Sequence, residues 1–177
     1  MIFNKSIEEG IVPDELKSAK IIPVYKSDDK KTVSNYRPIS VLPAFSKILE
    51  RLVYNRLVDF INKHNILSKN QYGFRKNIST SLALLDLVDK ISTSIENNEY
   101  TIGIFLDLAK AFDTVNHNIL LNKLYHYGIR GNAYDWFNNY LSNRQQYVYL
   151  NGFQSSKLPV TCGVPQGSIL GPLLFLL

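Results

Sequence analysis

Cysteine is almost missing: Cys162 is the only one in 177 residues. A lone thiol forbids an internal disulfide and fits a reducing compartment. It is also too few thiols for a structural zinc site, and the three histidines are scattered. Long apolar runs are lacking too, since no stretch reaches the roughly 18 residues that a membrane span needs. Near the start, Glu8 and Glu9 fall where a signal peptide would carry its apolar core. A soluble protein inside the cell is expected, with nothing to separate nucleus from cytoplasm. Repeats, low-complexity tracts and linkers are absent as well, so one domain is expected.

What is present suits a folded, basic protein. The chain is 45% hydrophobic and 20% charged, enough to bury a core and unlike a disordered segment. Net charge is +5 but uneven: residues 1–80 hold 14 Lys/Arg against 8 Asp/Glu, and residues 81–177 hold 6 against 7. A basic half joined to a near-neutral half suits a polyanion such as nucleic acid; solvated helix faces are the plainer alternative.

Local patterns divide the chain into elements. Ile2 to Glu9 reads as the end of a helix, and Pro13 opens a short helical turn. Ala19–Lys26 and Tyr36–Leu42 read as a hairpin around the charged loop Ser27–Val33, with Pro23 marking the first strand as an edge. Pro43 starts a helix with Leu49, Leu52, Val53, Leu57, Phe60 and Ile61 on the apolar face and Glu50, Arg51, Asn55, Arg56 and Asp59 outside. Asn65–Ser79 is loop-like, followed by a helix carrying Leu84, Val88, Ile91 and Ile95.

A strand is expected from Tyr100 to Asp107, with Asp107 on the face of the small residues Thr101 and Gly103. Helices follow over Asn116–Tyr127 and Asn132–Leu141, with Trp136, Phe137 and Tyr140 as core candidates. Asn151-Gly152 signals a hairpin turn, and Ile169–Leu177 starts an apolar helix.

Several residues have chemical potential. Nucleotidyl transfer uses two metal ions about 4 Å apart, and magnesium wants carboxylates, phosphates and water. Asp107, at the end of its strand, suits such an ion, and the Leu108 carbonyl is a further ligand candidate; capping a strand–helix junction is the plain alternative. Asp113, just before a helix, suits N-capping better. Phe112 can lie under the sugar of an incoming nucleotide and exclude a 2′-hydroxyl, or simply pack in the core.

Gly163-Val164-Pro165-Gln166-Gly167-Ser168 combines a fixed proline with glycines that let the backbone approach a base or sugar. Gln166 adds a neutral donor and acceptor; an ordinary turn is the alternative. The expected geometry sets Asp107 across an open groove from this elbow. Lys26 and Arg37 flank the first hairpin, where a guanidinium can grip phosphate through two hydrogen bonds. Gln71, Gly73, Phe74 and Arg75 offer amide, ring and charge to template backbone and bases, or form a plain linking loop.

The order of four stretches ties these together: Asn35–Ser40, Gln71–Arg75 with Ser79-Thr80, Phe105–Asp113, and Gly163–Pro172. From about Ile11 onward the chain resembles the reverse transcriptase domain of non-LTR, LINE-like retrotransposons of the jockey type. Group II intron-type maturases share the palm but fit the wording of Asn35–Ser40 and Ala109–Asp113 less well. The resemblance implies an α+β right-hand polymerase, with fingers and a partial palm: about 1–98 fingers-like and basic, about 99–177 palm.

Position by position, the resemblance assigns Asp107 to the first metal-binding acid and Phe112 to the sugar gate. Gln166 and Gly167 match the nucleotide-contacting elbow, Arg37 and Lys26 the triphosphate-facing residues, and Gln71 to Arg75 a template-facing loop. It implies Mg2+ or Mn2+, two ions in the full-length parent, with RNA template, DNA primer and deoxynucleoside triphosphates as partners, and no membrane. In that family a hairpin with two adjacent acids follows the helix after Pro172, but this sequence ends at Leu177. The expectation is a fragment lacking the remainder of the element's polyprotein, inactive alone and poorly soluble. The alternative is a non-catalytic nucleic-acid-binding remnant.

Overall fold

In the computed structural model, which describes residues 2–177, the sequence patterns become six helices and a small sheet. Helix α1 spans Ile2–Glu9, and a 3-10 turn, Asp14–Lys17, leads into strand β1, Ser18–Tyr25. Strand β2, Tyr36–Val41, returns antiparallel to β1 in a register running from Lys20↔Val41 to Tyr25↔Tyr36. The hairpin tip is well tied. Asp29 accepts from Lys31 N–H at 3.0 Å and Thr32 Oγ1 at 3.1 Å, and Tyr36 Oη donates to the Lys30 carbonyl at 2.8 Å.

Strand β3, Gln145–Leu150, lies parallel to β1 from Ser18↔Gln145 to Ile21↔Val148. Positive φ at Asn151 and Gly152, 50° and 86°, closes the tight turn into β4, Phe153–Gln154. Strand β5, Leu158–Pro159, pairs with the start of β3. The edge reading of Pro23 thus needs correction. β1 is interior over Ser18–Ile21, flanked by β2 and β3, and only beyond Ile21 does it have one neighbour. Pro23, paired with Pro38, sits in that one-sided stretch, where a missing N–H breaks no ladder.

Helix α2, Ala44–Lys63, buries Leu49, Val53, Leu57 and Ile61 as its apolar spacing requires, but Leu52, expected on the same face, is exposed and Phe60 is half-buried. Helices α4, His117–His126, and α5, Asn132–Leu141, add Leu120, Leu121, Leu124, Trp136, Phe137, Tyr140 and Leu141 to the same core. Helix α6, Gly171–Leu176, contributes Leu173 and Leu174. That core runs from Val12 to Leu177, while Ala19, Ile21 and Leu42 form a small second cluster. Among the described residues, no helix is long and apolar enough to cross a membrane.

Two expectations about apolar faces fail. Helix α3, Thr80–Glu96, forms and is N-capped by Ser79 Oγ, but it buries no residue. Leu84, Val88 and Ile95 are exposed, and Ile91 is half-buried. The run Tyr100–Asp107 is no strand: it carries no regular hydrogen-bond pattern, with Tyr100 100% and Leu106 89% exposed. A strand exists only by pairing, and no described strand lies beside this run. Period-2 alternation is present in its sequence, but the ladder that would fix it is not.

Candidate functional site

The Gly163–Ser168 elbow is where distant parts of the chain meet. Gly163 N–H donates to the Val115 carbonyl at 2.7 Å, and Val164 N–H to the Phe112 carbonyl at 2.8 Å. His117 Nε2 lies 2.7 Å from the Gly163 carbonyl; a carbonyl only accepts, so this nitrogen carries the proton. From the other side, Ser40 N–H of β2 donates to the Gln166 carbonyl at 2.7 Å. The elbow therefore joins the basic hairpin to the turn after Asp107. Glycine is required at both close approaches. A Cβ at Gly163 would lie 2.8 Å from the Asp113 carbonyl oxygen, and one at Gly167 2.7 Å from that of Ser40.

Gln166 Nε2 donates to Asp113 Oδ1 at 3.0 Å. This corrects the N-cap expectation for Asp113: helix α4 is capped by Asn116, whose Oδ1 accepts from Ile119 N–H at 3.1 Å. It also alters the expected groove. The carboxylate that meets the elbow is that of Asp113, whereas Asp107 is exposed on the extended run and outside the cavity beside the elbow. That cavity, about 420 Å³, is lined by Asp113, Gly163 and Gln166, by Pro38 and Ser40 of β2, and by residues of β3 and β5. Leu108, whose carbonyl was the second ligand candidate, is exposed like Asp107.

The other expected residues separate into two groups. Lys26 and Arg37 are exposed on the hairpin, with Arg37 next to the cavity residue Pro38. The loop residues are engaged with one another: Gln71 Nε2 donates to the Gly73 carbonyl at 3.1 Å, and Arg75 Nη1 to those of Ser68 and Gln71 at 3.1 and 3.3 Å. Phe74 leaves this loop with φ 58° and sets its ring edge-on to Phe112, 5.8 Å between centroids. Phe112 also packs on Phe175 of α6 at 5.0 Å. Phe112 and the Gln71–Arg75 loop, separate features of the sequence, are thus in contact.

Glu50 is the residue that the pattern misplaced. Its charge predicts the outer face of α2, but it is 1% exposed. Oε1 accepts from Tyr140 Oη at 2.9 Å, and Oε2 from the backbone N–H of Ile169 at 2.7 Å and of Leu170 at 3.4 Å. Arg144, also 1% exposed, stacks its guanidinium 4.7 Å from the Tyr140 ring centroid and donates Nη1 to the Tyr140 carbonyl at 3.1 Å. Its Nη2 has no partner among the described residues. A signal was available: Glu50 lies three and seven residues before Val53 and Leu57, on the buried stripe itself.

Burial pushes the Glu50 carboxyl above its ordinary value of 4.5, opposed by the Ile169 N–H, the Tyr140 hydroxyl and the Arg144 charge. The folded state then holds this proton more tightly than the unfolded chain. Stability from this group is full below 4.5 and is lost as pH rises through the raised folded value. Thermal melts from pH 4.5 upward should show the wild type losing ground relative to its acid-side value. Glu50→Gln, with no proton to lose, should lack this component, and parallel profiles would contradict it.

Two divalent cations do not fit the residues present. Among the described residues, no group of three His, Cys, Asp or Glu side chains lies together as a metal site would require. Asp107 brings one carboxylate, and the carboxylate of Asp113 is taken up by Gln166.

Comparison with known proteins identifies the class. Residues 26–177 match the reverse transcriptase (RNA-dependent DNA polymerase) family, so the chain belongs to it. It is 39% identical over 176 residues to the RNA-directed DNA polymerase from mobile element jockey of Drosophila melanogaster, covering 99% of this chain and 19% of that protein. Identity is 34% to the probable RNA-directed DNA polymerases from transposon BS and transposon X-element of the same species, over 99% and 100% of this chain. The chain spans about a fifth of the length of these relatives.

Proposed function

We propose that this chain is the fingers and part of the palm of an RNA-directed DNA polymerase from a non-LTR retrotransposon. In this reading, residues up to about 98 form the basic fingers-like part and the rest the partial palm. The observation that carries it is the elbow, which binds the basic hairpin to the turn after Asp107 within the segment matched to the family. Its backbone is fixed from three sides, so Gln166 is held at the cavity wall before any ligand arrives.

The residues divide the work. Lys26 and Arg37 attract triphosphate or nucleic-acid phosphate, Arg37 through two parallel hydrogen bonds. Gln166 and Gly167 meet the nucleotide, Phe112 the sugar, and Gln71, Gly73, Phe74 and Arg75 the template. Asp107 and the Leu108 carbonyl are the candidate holders of a divalent cation (Mg2+ or Mn2+), which would supply charge stabilisation to phosphoryl transfer. One exposed carboxylate cannot retain two such ions against hydration, so no catalytic step is assigned to this chain alone.

Two measurements test the reading. An RNA template annealed to a DNA primer should bind this chain with an affinity that falls as salt rises. Arg37→Ala should lower the slope of log K against log salt by about one. Binding indifferent to salt and to Arg37 would sink the polymerase reading. In a primer-extension assay with Mg2+ or Mn2+ and all four deoxynucleoside triphosphates, no product is expected. Vigorous synthesis abolished by Asp107→Ala would overturn the view that this chain is inactive by itself.

A further inference from the structure

We propose that Glu50 is a positioning residue for the nucleotide-contacting elbow, acting through the backbone N–H groups of Ile169 and Leu170; this rests on the elbow's role under the proposed function. The geometry is specific. The elbow's front is held by Phe112 and Val115, and its middle by Ser40. Its foot, where the chain passes from Ser168 into α6, is held by one side chain from α2, 119 residues earlier in the sequence.

Within the elbow, Ser168 Oγ donates to the Pro165 carbonyl at 2.8 Å and accepts from Gly171 N–H at 2.9 Å. Pro165, Gln166 and the foot thus move as one piece. A carboxylate accepting two backbone N–H groups and a hydroxyl has no unused donor to satisfy, so all three bonds point the same way. Such charge-assisted bonds are roughly twice as strong as neutral ones.

An apolar residue would suit the stripe, whose neighbours are Leu49, Val53 and Leu57, but would leave the buried Arg144 charge unopposed. A buried acid there costs desolvation, and its return is the alignment of Ile169 and Leu170. The charged and titratable groups facing it are Tyr140 and Arg144. Arg144 supplies the opposing charge without a direct ion pair, which leaves both carboxylate oxygens to their three donors.

The test compares Glu50→Gln, which keeps shape and one acceptor, with Glu50→Leu, which fills the space and keeps none. Amide hydrogen exchange of the whole chain is followed together with the Gln166 side-chain NH2 resonances. Exchange at Ile169 and Leu170 should quicken about tenfold or more in Glu50→Leu and less in Glu50→Gln. Amides of the α4–α5 core, such as Leu124, should stay near wild type, and the Gln166 resonances should shift. Tyr140→Phe removes the donor to the other oxygen and a contact with the Ser168 side chain but leaves both bonds to Oε2, so the Ile169 and Leu170 amides should stay protected.

Uniform loosening of every core amide, or an unchanged elbow in both variants, would overturn the proposal. If Glu50→Leu fails to fold, Glu50→Gln alone decides by the same comparison. A dATP titration separates the two levels of the argument. Should Gln166→Ala weaken dATP binding while the Glu50 variants do not, positioning is refuted. Should dATP binding ignore Gln166→Ala, the elbow's nucleotide role fails, and the exchange data still decide whether Glu50 sets its geometry.

Discussion

Gly163→Ala is expected to destabilise the chain by about 3 kcal/mol and to abolish the nucleotide contact proposed for the elbow. Two costs combine. Gly163 has φ +85°, a region where an L side chain is strained, and the added methyl would lie 2.8–2.9 Å from the backbone of Phe112 and Asp113. The Phe112 carbonyl is not free to yield, because it already accepts from Val164 N–H, and Gly163 itself is tied to the Val115 carbonyl next along the chain. For a domain of this size the melting temperature should fall by roughly 6–12 °C. Gly152→Ala separates the costs: its φ is +86°, but no atom lies within 4 Å of the new methyl, so only backbone strain of about 1–2 kcal/mol remains. Equal losses in the two variants would show that the elbow is not clamped against the Phe112–Asp113 backbone.

Trp136→Ala should cost more, about 3–5 kcal/mol, enough to unfold a marginal chain at 37 °C. Trp136 is 2% exposed, stacks on Tyr140 at 5.2 Å with 10° between planes, and meets Phe137 edge-on. Its Nε1 donates to Ser6 Oγ at 3.2 Å, tying α1 to α5. Trp136→Phe keeps a ring and loses that bond with some volume, so a smaller loss of about 1–2 kcal/mol is expected. Because Trp136 is the only tryptophan, urea unfolding is best followed by circular dichroism. A midpoint unchanged in Trp136→Ala would contradict the packing described for α5.

The contrast between what local patterns reveal and what they miss follows from the range of the interactions. The hairpin β1–β2, the buried stripe of α2 and the Asn151-Gly152 turn are each set within a few residues, and each forms as its pattern requires. Trp136, Phe137 and Tyr140 are buried because α5 offers them on one face. The charge of Glu50 points to solvent, whereas its spacing from Val53 and Leu57 marks it as interior, and the spacing wins. Its partners lie 90 to 120 residues away, beyond any window on the local sequence.

Asp113 and Gln166 make the same point from 53 residues apart. The run Tyr100–Asp107 shows the converse. Its alternation is clear, yet alternation creates only one side of a strand, and the neighbour must come from elsewhere. The role proposed for Asp107 therefore rests on the resemblance carried by Phe105–Asp113, not on the geometry of a formed strand.

The parallel seam between β1 and β3 has a consequence for how the protein is made. β1 and β2 are complete once Val41 leaves the ribosome, but the strand that flanks β1 begins only at Gln145. At ordinary elongation rates that interval lasts on the order of 5–20 s, against microseconds for hairpin closure. The nascent hairpin waits all that time with the β1 side open as well as the β2 side, which stays an edge in the finished sheet.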